Sequence, residues 1–148
     1  MKKFSNKAFT LIELMVAAAI LLVTLVGILL SYVRSLELAE LSKNSSIAVN
    51  AVRSRMEQIR NTQFSQILAT YNNVTFTAAG FNGLGISYVT AVNADLLQVT
   101  ISFSWRQSNR RVIGEDKDLD GVLDAGEDKN GNGILDSPVE IVSDIYNL

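Results

Sequence analysis

The 148-residue chain has no cysteine and no histidine, and Pro138 is its only proline. Without cysteine there is no disulfide framework, no thiol nucleophile and no thiolate metal site. Without histidine, imidazole acid–base chemistry is absent, and the many serines and threonines lack the usual base to activate them. Any metal must be held through oxygen, which favours hard cations such as calcium. No nucleophile–base pair, phosphate loop or convergent acid pair stands out, so an enzyme is not expected. Aromatic residues make up only 7% of the chain, and the formal net charge of −2 conceals an asymmetry. Residues 1–114 carry 11 basic and 5 acidic side chains, whereas residues 115–148 carry 2 and 10. So acidic a C-terminal segment argues against nucleic acid as the main partner and for a cation.

What is present begins with an apolar run. From Phe9 to Tyr32 the only charge is Glu13. Twenty-four helical residues span about 36 Å, enough to cross a hydrocarbon core of about 30 Å with some tilt. Lys2, Lys3 and Lys7 precede the run and Arg34 follows it. The positive-inside rule then predicts a single-pass protein with a cytoplasmic N-terminus. A cleavable secretory signal fits less well, because the run is too long and its small residues, Ala17 to Ala19, lie mid-run. Glu13 is a functional-site candidate, since a carboxylate inside an apolar helix is costly; the alternative is that it lies shallowly enough to snorkel to the cytoplasmic headgroups.

The segment Lys7-Ala8-Phe9-Thr10-Leu11-Ile12-Glu13-Leu14-Met15-Val16 resembles the class III prepilin signature of type IV pilins and type II secretion pseudopilins. The resemblance implies a basic leader over 1–8, cleavage by a prepilin peptidase between Ala8 and Phe9, and methylation of the new amine of Phe9. The family usually has Gly where Ala8 stands. It further implies assembly with other pilin or pseudopilin subunits, through an inner-membrane assembly platform, after residence in the lipid bilayer of the inner membrane with the head in the periplasm. Glu13 is then expected to pair with the freed amine of a neighbouring subunit. Burying both charges separately is expensive, and a buried pair fixes register. Major pilins typically loosen this helix with a Gly and a Pro; here Leu22 and Leu30 stand at those places, which suggests a minor subunit. Met56 to Asn61 and Val139 to Val142 loosely resemble PilV-type minor pilins and I-type minor pseudopilins.

Past Tyr32 the pattern remains helical. Leu41, Ser45, Ala48, Val52, Met56 and Ile59 step by threes and fours along one stripe. One helix is expected from about Phe9 to about Asn61, with its membrane half over 9–32 and its amphipathic half over 33–62. The seam covers too few heptads for a coiled coil. From residue 63 to 148 a β head is expected. Leu97, Val99, Ile101, Phe103 and Trp105 alternate with polar residues in the strongest strand. Ile86 to Thr90 precedes it across an Asn93-Ala94-Asp95 turn, Val74 and Phe76 suggest a short strand, and Val139 to Ile145 a last one. The predicted class is α+β and pilin-like: one long N-terminal helix packed on a small antiparallel sheet.

Between the last strands lies an acidic segment, 114–138. Asp116, Asp118, Asp120, Gly121 and Glu127 match the EF-hand loop pattern in spacing. Val122 would add its carbonyl, Asp124 the ninth-position ligand, and Glu127 would close the shell with both oxygens. Twelve residues on, Asp128, Asn130, Asn132, Ile134 and Asp136 repeat the pattern, but Val139 occupies the closing position and Glu140 follows it. The loops abut without flanking helices, so they resemble the tandem calcium loops of thrombospondin type 3 and dockerin-like repeats. In such an arrangement Glu127 serves either loop or both. Calcium is the expected ligand and its role structural. A membrane-tethered, calcium-dependent adhesin is the alternative to a filament subunit.

Overall fold

The computed structural model describes residues 10–108 and 110–147. Helix α1 runs unbroken over Leu11–Arg60. Its residues divide between two compact units, 1–39 and 40–148.

In the first unit α1 has no buried side chain. Leu11 is 80% exposed and Val23 74%, and apolar residues as far as Leu38 are similarly bare. A helix apolar all round and unburied needs a non-aqueous surrounding.

The second unit begins at Glu40, so the amphipathic half of α1 folds as part of the head. The stripe read from the sequence is the buried one: Ala48, Val52, Met56 and Ile59. It packs on a five-stranded antiparallel sheet. β1 (Val74–Phe76), β2 (Gly83–Asn93) and β3 (Leu96–Arg106) are consecutive neighbours. β4 (Val112–Ile113) and β5 (Glu140–Tyr146) pair with the far side of β3 at different ends, β4 at Trp105 and Arg106, β5 along Leu96 to Ser102. The Asn93–Asp95 turn is closed by the Asp95 N–H donating to Asn93 Oδ1 at 2.9 Å.

Alternation sorts β3 as expected. Leu97, Val99, Ile101, Phe103 and Trp105 enter the core with the helix stripe. Phe103 meets Phe76 edge-on at 5.7 Å and stacks on Phe81 at 5.9 Å. Each fully buried side chain of this kind contributes about 1.5–3 kcal/mol.

The second helix, α2 (Phe64–Tyr71), stands where β structure was expected. Its Ile67 joins the core, with Phe64 and Tyr71 packed against it.

On the opposite sheet face Thr75, Ile86 and Ser102 are cross-strand neighbours, and the 114–138 insertion covers the part around the buried Ile86 and Ser102, leaving Thr75, Thr90 and Gln98 exposed. Ser102 Oγ donates to the Leu135 carbonyl at 2.5 Å, the Leu135 N–H donates to the Tyr88 hydroxyl at 2.9 Å, and Leu135 is 1% exposed. Ser137 Oγ donates to the Phe103 carbonyl at 2.6 Å. The acidic segment is thus a third layer seated on the sheet.

Candidate metal centre and membrane anchor

Tandem turns shape the insertion. In the first loop the Asp116 carboxylate accepts the N–H groups of Leu119 (2.7 Å), Asp120 (3.2 Å) and Gly121 (3.1 Å). In the second, Asp128 accepts those of Gly131 (2.6 Å), Asn132 (3.1 Å) and Gly133 (2.9 Å). These are the fourth, fifth and sixth positions of each twelve-residue loop. Asp120 Oδ1 then accepts the Val122 N–H, and Asn132 Oδ1 that of Ile134. Gly121 and Gly133 adopt φ of +77° and +78°, as the sharp sixth-position turn requires.

The first loop brings Asp116, Asp118 and Asp120 together, with carboxylate oxygens within 4.8 Å of one another. Burial pushes the Asp116 carboxyl above its ordinary range, against the pull of its N–H donors. Asp128 is half-buried, and the N–H groups donated chiefly by Gly133 and Gly131 hold its carboxyl below that range. Asn130 Nδ2 and Asn132 Nδ2 converge on Asp136 Oδ2 at 2.5 and 2.9 Å. Glu140, at the start of β5, has its carboxyl raised by burial and by the adjacent Asp136.

The closing carboxylates are arranged by exchange. Glu127, 4% exposed, accepts the N–H groups of the second and ninth residues of loop one, Lys117 at 2.7 Å and Asp124 at 3.2 Å. The corresponding residues of loop two are Lys129 and Asp136. Their N–H groups go to Glu115, 8% exposed, both at 3.1 Å. Glu115 directly precedes loop one, as Glu127 directly precedes loop two, so each loop is braced by the glutamate at the head of the other. The sequence reading did not single out Glu115, and the signal was an internal one: Glu-Asp-Lys occurs at 115–117 and again at 127–129. Glu127 braces loop one rather than both. Val122 and Ile134 are held through their N–H groups. Asp124 is tied by its backbone, its carbonyl accepting the Glu127 N–H at 3.1 Å.

At the other end of the chain, Ala8 and Phe9 lie outside the described residues. Glu13 sits in the first turn of α1, where its N–H donates to Thr10 Oγ1 at 3.3 Å and to the Thr10 carbonyl at 3.1 Å. Thr10 and Glu13 are thus spaced as a capping box, and a carboxylate in the first turn also suits the helix dipole.

Comparison with known proteins gives one positive result. Residues 3–29 match the family model described as the prokaryotic N-terminal methylation motif. No curated protein and no solved structure matches the chain. Motif and apolar helix define a single-pass protein anchored in the inner membrane. The motif supports a type IV pilin- or pseudopilin-like subunit, and the long N-terminal helix with a small antiparallel sheet fits that α+β fold.

Proposed function

We propose that the chain is a minor pilin or minor pseudopilin, a filament subunit whose C-terminal insertion is ordered by calcium. The carrying observation is the coincidence of the methylation motif with a helix whose apolar first half is wholly unburied. Such a segment suits a bilayer first and a bundle of like helices afterwards. The minor assignment rests on the continuity of α1 through Leu22 and Leu30. Orientation follows from Lys2, Lys3 and Lys7, with the leader cytoplasmic and the head periplasmic. Intact mass of the protein from membranes is expected to match a chain starting at methylated Phe9. A chain that keeps its initiating methionine and works normally overturns this reading in favour of a plain tethered binding module.

The calcium assignment is supported by an all-oxygen donor set at EF-hand spacing and by the gathering of Asp116, Asp118 and Asp120. Loop one would hold its ion with these residues, the Val122 carbonyl, Asp124 and Glu127. Loop two would use Asp128, Asn130, Asn132, the Ile134 carbonyl and Asp136, with Glu115 as the closing acid that Val139 cannot be. Glu115→Gln is therefore expected to weaken one of two calcium sites about tenfold or more while sparing the other. Isothermal titration of the full-length protein measures this, and two unaltered sites would remove Glu115 from the ligand set.

A further inference from the structure

Arg55 lies on the head half of α1, held by aromatic rings. Its guanidinium carbon is 4.7 Å from the centroid of Tyr71 and 5.2 Å from that of Phe76. Such stacking orients a planar cation and fixes the direction of its fork. Its hydrogen bonds are poorly satisfied: Nε is buried without a partner, and Nη1 reaches Gln58 Oε1 only at 3.4 Å. No ion pair joins it to an acid among the described residues, whereas the nearby Arg60 pairs with Glu57. Partial burial pulls the guanidinium pKa below its ordinary value, against a smaller opposite pull from Tyr71.

This cation borders a groove of about 360 Å³. Asn50, Ser54, Gln58 and Thr77 supply neutral polar groups there, Ala51 and Ala78 leave room, and the rest of the lining adds no charge. A stacked guanidinium among amides and hydroxyls, with no acid of its own, has the chemistry of a carboxylate receptor.

We infer that the Arg55 groove is a docking notch for an aspartate or glutamate side chain on the polypeptide of a neighbouring subunit. The identity of the occupant rests on the filament reading above; the chemistry of the notch rests on Arg55 alone. The groove is open and larger than one carboxylate, so it admits a side chain together with its flanking backbone. The contact is specific because an amide in place of the acid leaves the guanidinium uncompensated.

The test uses full-length protein in nanodiscs with ¹⁵N-labelled arginine, following the Arg55 Nε–H resonance. A capped Ala-Glu-Ala peptide is expected to shift that resonance saturably, and the Ala-Gln-Ala peptide to bind about tenfold more weakly or worse. Because Arg55→Gln alone could unsettle the head, Gln58→Glu is the deciding variant. It places a carboxylate where Gln58 Oε1 already approaches Nη1, and is expected to keep the unfolding midpoint or raise it while abolishing the peptide response. Equal binding of the two peptides, or undiminished binding to Gln58→Glu, overturns the notch. Acetate binding as tightly as the peptide overturns its assignment to a polypeptide. The N-terminal mass is measured independently, so failure here on a chain that begins at methylated Phe9 removes this inference and leaves the filament reading in place.

Discussion

Addition of calcium to about 10 mM is expected to raise the unfolding midpoint of the head by about 6–20 °C for each site filled, and Glu127→Gln to remove the share that belongs to loop one. The size follows from linkage: dissociation constants on the order of 10⁻⁴–10⁻³ M give about 1.4–2.7 kcal/mol per site. In a domain of this size each kcal/mol moves the midpoint by about 4–8 °C. The direction follows from the geometry. Three carboxylates of loop one lie within 4.8 Å of one another, and the buried Asp116 already resists ionising. A divalent cation turns that repulsion into attraction. The stabilisation reaches the sheet because Leu135 and Ser137 bond to Ser102, Tyr88 and Phe103. Glu127→Gln retains a carbonyl oxygen for one backbone N–H but loses the charge and the second acceptor. Thermal melts of the full-length protein, with chelator and with calcium, decide the matter. Identical midpoints would exclude a structural calcium role, and magnesium should substitute poorly because it demands a smaller, near-octahedral shell.

Glu13→Gln is expected to reduce incorporation into filaments about a hundredfold or more while leaving helix content and membrane insertion unchanged. Breaking a buried ion pair by removing one partner costs about 3–5 kcal/mol. The substitution separates two roles for this residue. Glutamine serves the third helical position of a capping box as glutamate does, so the Thr10 cap survives. It carries no charge, so a pairing with the methylated amine of a neighbour's Phe9 does not. Thr10→Ala is the converse: it should loosen the first turn by about 1 kcal/mol and leave co-assembly largely intact. Quantifying each variant against the major subunit in sheared filaments gives the readout. Undiminished incorporation of Glu13→Gln would leave Glu13 with the cap as its whole purpose.

The elements legible in the sequence are those with long, regular patterns. The 9–32 run and the three-four stripe through Ile59 produced α1, found over Leu11–Arg60, and period-two alternation produced β3 with its buried face as expected. The missed helix α2 had a pattern of its own. Phe64, Ile67, Leu68 and Tyr71 recur at helical spacing, but over eight residues the pattern is too short to compete with the β-branched composition that follows. β4 is two residues long and exists only because β3 offers a free edge at Trp105 and Arg106.

Taken alone, the amino-acid order determined the anchor, the motif around Phe9 and Glu13, the α+β class and the twelve-residue period of the acidic loops. These are local properties, carried by spacing along one chain. Tertiary structure alone decided that the insertion covers part of the sheet, that Glu115 braces the second loop while Glu127 braces the first, and that Arg55 lies over the rings of Tyr71 and Phe76. The contacts that set them join residues from 10 to 47 positions apart. No periodicity encodes such pairings, because they are set by which surfaces must be buried together once the strands have paired.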